Sequence, residues 1–159
     1  EVATMMATQT DELGPIIGHD APNFVLPDHD LNPSDLDSIM GESGVLIGFI
    51  RDIWQPASIR RVLFMQKHHR KFLEQGVNIA LIIADQPNTL YTFHLSTEVR
   101  MSVTLLADPN SEVHRAYNMY HSGLVLVDDT YTIRNKWLVP DERVWLRPKE
   151  LLEELHAPA

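Results

Sequence analysis

The sequence predicts an α/β fold with helices flanking a central mixed β-sheet, and three features carry that prediction. Two segments, "VLIGFI" at 45–50 and "VNIALIIAD" at 77–85, are apolar without alternation, the pattern of strands covered on both faces. The stretch between them switches to helical spacing and carries Arg and Lys on its other face. Near the C-terminus, "YTIRNKWLV" at 131–139 alternates apolar and polar residues, as an exposed last strand of a hairpin does.

The elements follow in order. Residues 1–20 read as a lead-in, and 21–159 as one domain. "APNFVLPD" at 21–28 is a short apolar core between prolines, hence a brief edge strand. Residues 31–44 read as a loop with one short helical turn, closed by glycine. From Pro56, the residues Ile59, Val62, Leu63, Phe72 and Leu73 mark an amphipathic helix with Pro56 in its first turn and Gly76 as its stop. A further helix is expected from Pro87 to about residue 99. A strand at "SVTLLAD", a helix start at "PNSEVHRAYN" and a buried strand at "GLVLVD" come next. "RPKELLEELHA" closes the chain as a helix with Leu151, Leu152 and Leu155 on one face.

Composition narrows the chemistry. With 159 residues and 44% hydrophobic content the chain can bury a core without staples. The absence of cysteine excludes disulfides, zinc–thiolate sites, iron–sulfur clusters and thiol catalysis by this chain. Apolar runs such as "IALIIA" at 79–84 fall well short of the roughly 20 residues of a membrane span, so none is expected. The first residues lack the basic start and apolar centre of a secretory signal, but a chain beginning at Glu1 is also compatible with prior trimming, so the compartment stays open with a cytoplasmic location as the leading expectation. The net charge of −9 argues against general affinity for nucleic acid. Yet residues 1–50 hold no Lys or Arg, while Arg51, Arg60, Arg61, Lys67, Arg70 and Lys71 cluster within one stretch. A local basic patch on an acidic protein suits a protein partner or a small anion.

The order of these segments resembles the peroxiredoxin-like redoxins of the alkyl hydroperoxide reductase/thiol-specific antioxidant type, within the thioredoxin-like superfamily. The resemblance rests on "APNFVLPD", "VLIGFI", the Trp-X-Pro element of "RDIWQPASIRR", "GVNIALIIAD", "LLADPNSEVHRAYN" and "GLVLVDDTYTIRNKW", and spans about residues 18–155. It implies a thioredoxin-like fold. It also locates a lost active site, because relatives of this type tend to read Trp-Cys-Pro-X-Cys-Arg. Here the stretch reads Trp54, Gln55, Pro56, Ala57, Ser58 and Ile59, with Arg60 one place later. Both cysteine positions are gone. Redoxin chemistry needs a thiolate, which neither Gln55 nor Ser58 can supply. The cis-proline or arginine that such proteins place opposite the motif is also missing from "NMYHSGLVLVD", which offers only His121, Ser122 and Gly123.

Other side chains yield no competing chemistry. Ser58 near a helix start has no recognisable base, since no His and acid stand nearby at a familiar spacing and no nucleophile elbow occurs. Among eight histidines, His68 and His69 diverge by about 100° on their helix, so no metal site is expected. No cofactor is expected either. Met65 and Met101 read as core fillers, whereas Trp137 and Trp145 are candidate partner anchors. The sequence therefore points to a catalytically inactive redoxin that binds a protein partner or a second copy of itself. Its surface would comprise Arg60, Arg61, Lys67, Arg70, Lys71, Trp137 and Trp145. Oxidoreductase action through a partner's thiol, or small-ligand binding around Trp54, Gln55, Arg60 and His121, are the alternatives.

Overall fold

The computed structural model describes residues 14–97, 101–139 and 153. In chain order the elements are β1 (Val25–Pro27), β2 (Pro33–Asp35), α1 (Leu36–Ile39), β3 (Gly44–Ile50) and α2 (Pro56–Glu74). They continue as β4 (Val77–Ile83), α3 (Pro87–Ser96), β5 (Thr104–Ala107), α4 (Glu112–Ala116), β6 (Ser122–Asp128) and β7 (Ile133–Val139). Five strands form one sheet in the order β5-β4-β3-β6-β7. The β3–β4 and β4–β5 pairs are parallel, and β3–β6 and β6–β7 are antiparallel, so the sheet is mixed as expected.

The central position of β3 explains its unbroken apolar sequence, because every residue from Gly44 to Ile50 is buried. Alternation along the strand builds two cores. Val45, Ile47 and Phe49 face one layer with Leu36 and Ile39 of α1, Val113 of α4 and Tyr117. Leu46 and Ile50 face the other with Val62, Met65 and Phe72 of α2 and Leu90 and Phe93 of α3. Helix α2 starts at an extended Gln55, takes Pro56 in its first turn, and stops where Gly76 adopts φ +80°.

Two expectations need correction near the N-terminus. The 21–28 segment does hold a short strand, but Val25–Pro27 pairs with β2 in a separate two-stranded ribbon, and only Asp28 bridges to Leu106 at the β5 edge of the main sheet. Part of the expected loop at 31–44 is that second strand, followed by α1. Pro27 and Pro33 face each other at one end of the ribbon of three residue pairs, and at the other end an Asp35–Ser38 capping box starts α1 directly after it. Trp145 and the predicted closing helix with Leu151, Leu152 and Leu155 lie outside the described residues, apart from Glu153, which is helical.

A close approach of backbone fixes the turn before β3. A Cβ built on Gly41 would lie 2.7 Å from Asn78 N, Gly44 O and Gly76 O. Gly41→Ala is therefore expected to lower stability by about 1–3 kcal/mol in a denaturant titration. An unchanged midpoint would show that this turn relaxes freely.

Candidate functional site

The degenerate motif sits where the chain leaves the carboxyl end of β3 and enters α2. Local hydrogen bonds hold that turn. Ile53 N–H donates to Asp85 Oδ2 at 2.9 Å, Trp54 N–H to Asp52 Oδ1 at 3.0 Å, and Ile59 N–H to Gln55 O at 3.0 Å. Burial pushes the Asp85 carboxyl above its ordinary range, the Ile53 N–H opposes that shift, and the nearby Asp52 charge adds to it. The indole of Trp54 is 47% exposed and meets Phe93 of α3 edge-on at 5.8 Å between centroids.

The two cysteine-equivalent positions differ in access. Gln55 is exposed at the N-cap, whereas Ser58, one turn on, is only 3% exposed. Across the mouth, Arg51 Nη1 donates to Tyr120 O at 3.4 Å, linking the turn to the loop before β6, where His121 is exposed.

A buried acid–histidine pair lies beneath the turn, although spacing in the sequence suggested none. Asp108 and His114 are 2% and 1% exposed. His114 Nδ1 is 2.8 Å from Asp108 Oδ2, its backbone N–H donates to the same oxygen at 2.9 Å, and its Nε2 lies 3.2 Å from Ile50 O. Both ring nitrogens therefore face oxygen acceptors. Burial alone would raise the Asp108 carboxyl, but hydrogen bonds from the His114 ring and from the His114 and Val113 N–H groups hold it below its ordinary range. With Nε2 committed to Ile50 O, His114 is not free to act as a base toward Ser58. The pair instead ties the start of α4 to the end of β3.

A second buried network orients α2. His69 lies between Ser102 Oγ and Asn78 Oδ1, each at 2.8 Å, and Asn78 Nδ2 donates to Ile39 O at 2.8 Å. Gln66 Oε1 accepts from Ser102 N and Val103 N at 2.7 and 3.0 Å. With that face pinned inward, Arg60, Leu63, Lys67, Arg70 and Lys71 are exposed. Arg61 is not among them. It is 4% exposed, so its place in the expected basic patch is corrected, since its position on the helix turns it toward the sheet. Trp137 is partly buried against the core and offers less surface than expected. The His68 imidazole is held below its ordinary range by burial and by the charges of Lys71 and Lys67.

The model of the AhpC/TSA family matches residues 17–144. The chain belongs to the AhpC/TSA family. Its fold is that of solved peroxiredoxin structures. Peroxidoxin BcpB from Mycobacterium tuberculosis superposes with a TM-score of 0.75 at 16% identity, covering 91% of this chain and 97% of that one. A peroxiredoxin-like protein from Aquifex aeolicus gives 0.75 at 15% identity, covering 89% and 86%. The reduced 2-Cys peroxiredoxin of Plasmodium vivax gives 0.75 at 18%, covering 87% and 93%. Among curated proteins the chain finds no match. This AhpC/TSA member thus keeps a thioredoxin-like scaffold while carrying no cysteine. No described helix is long and apolar enough to cross a membrane.

Proposed function

We propose that this AhpC/TSA member is catalytically silent and works by binding, as a subunit or accessory factor of a protein assembly. The observation that carries this reading is the pairing of a thiol-free chain with an exposed face of α2 bearing Arg60, Lys67, Arg70 and Lys71. Those cations alternate with exposed apolar surface at Leu63 (36%) and Leu73 (49%). Among the described residues one ion pair on the helix offsets them, Arg70 Nε to Glu74 Oε1 at 3.8 Å. Such a stripe on a chain of net charge −9 favours an acidic partner with apolar anchors, steered by charge and held by burial.

The test is association of the protein with its co-purifying partner, compared with Arg60→Glu/Lys67→Glu/Lys71→Glu. The triple variant is expected to bind at least about tenfold more weakly and to lose most of its salt dependence. Unchanged affinity would remove α2 as the contact surface. The competing oxidoreductase reading is tested by peroxide consumption with dithiothreitol or thioredoxin as reductant. No rate above buffer is expected, and a rate abolished by Ser58→Ala would reverse the reading.

A further inference from the structure

The β1–β2 ribbon and α3 pack on opposite faces of the sheet, yet they meet around its β5 edge. Asp28, at the ribbon tip, bridges to Leu106 of β5, and past it the His29 ring stacks on that of His94 in α3. Tip and helix together form a cavity of about 330 Å³ whose lining includes Asp30, Leu31, Pro87 and Tyr91. Its surroundings are apolar. Leu31 is 71% exposed and Tyr91 44%, and Leu95, one turn beyond Tyr91 on α3, is 65% exposed. Leu31 also sits at φ +67°, a conformation easier for glycine, so the fold holds a large apolar side chain in water against its backbone preference.

Lys and Arg are missing from both walls of this groove. Residues 14–50, ribbon included, hold neither, and α3 holds neither. The Asp30 side chain is 56% exposed; its Oδ2 lies 3.3 Å from His29 Nε2, and its Oδ1 accepts from no described residue. The complementary occupant is an apolar side chain with a cation beside it. The chain carries that combination on another surface. Arg60, Leu63 and Lys67 of α2 are exposed at spacings of three and four residues, which sets them on one face with the cations roughly 10 Å apart on either side of the leucine.

We propose that α2 of one copy docks in the ribbon–α3 groove of the next, with Leu63 entering the cavity beside Leu31 and Tyr91 and Lys67 pairing with Asp30. The inference rests on the reading of α2 as a binding face and names a second copy as its occupant. Groove and helix are different patches, so the contact is heterologous. Each pair keeps one groove and one α2 unfilled, and growth continues unless a ring closes. At about 0.15 M salt, screening beyond roughly 8 Å damps the repulsion between two copies of net charge −9 and spares the close contact.

Analytical ultracentrifugation of two variants tests the contact. Arg60→Glu/Lys67→Glu blocks the helix, whereas Asp30→Asn/Leu31→Gly removes both groove anchors and suits the backbone at 31. The native protein is expected to gain mass with concentration below about 1 mM, and each variant alone to stay a single chain. An equimolar mixture of the two variants is expected to form one-to-one pairs and stop there, because each pair retains one working helix and one working groove. A native protein that stays single, a native oligomer that either variant preserves, or a mixture that does not pair would overturn the proposal. Should a variant fail to fold, carbodiimide cross-linking of the native protein decides: an amide between Lys67 and Asp30 of different copies is expected, and links confined to other sites would overturn it. A native protein that stays single while Arg60→Glu/Lys67→Glu/Lys71→Glu still loses a partner of another kind would overturn the self-docking alone. If that variant loses neither contact, the reading of α2 as a binding face falls with it.

Discussion

Asp108→Ala is expected to destabilise the protein by about 3–5 kcal/mol in a urea titration, the cost typical of removing one member of a buried pair. The substitution strips His114 of the carboxylate that accepts from both its ring and its backbone, inside a site closed to water. The acid limb of the stability curve carries the same signature. A carboxyl held below its ordinary range in the folded state releases its proton more readily there than in the unfolded chain. Its contribution is therefore complete above the unfolded value of about 3.9 and is lost as pH falls below that, through the depressed folded value. Asp108→Asn should flatten that part of the curve. A loss below about 1 kcal/mol for Asp108→Ala would show that the pair contributes little beyond packing.

Reinstating single thiols should reveal how unequal the two former cysteine positions have become. Gln55→Cys places a thiol on the exposed N-cap of a 19-residue helix, where unpaired N–H groups favour the thiolate. Ser58→Cys places it at a position only 3% exposed. Gln55→Cys is expected to react with an aromatic disulfide reagent on the order of tenfold faster or more. Equal rates, or a faster Ser58→Cys, would mean that the first turn of α2 opens readily in solution.

The main sheet and α2 were legible because their signals are local and strong. The helical spacing from Pro56 to Gly76 marks α2 directly, and the continuous apolar run of β3 reads as a buried strand because it is short, rich in β-branched residues and preceded by glycine. Of the β1–β2 ribbon, β1 was legible from its apolar segment, but β2 was not, because a three-residue polar strand opening on a proline carries too few residues to show alternation. The motif was legible by its order along the chain, whereas its supports were not. Asp85 contacts Ile53 across 32 positions, and His114 reaches Ile50 across 64. No periodicity reports contacts of that span. The Asp108–His114 pair leaves a weak local trace, an acid just before a short helix with a histidine six residues on. Arg61 shows the opposite error: charge alone placed it in the exposed patch, while its position on α2 buries it.

The most direct test is the mass of the protein taken from its native source under gentle, low-salt conditions, with co-purifying chains identified and the measurement repeated for Arg60→Glu/Lys67→Glu/Lys71→Glu. The proposed binding role predicts a reproducible stoichiometric complex that the triple variant loses. A lone chain, or a complex indifferent to those three substitutions, would contradict it.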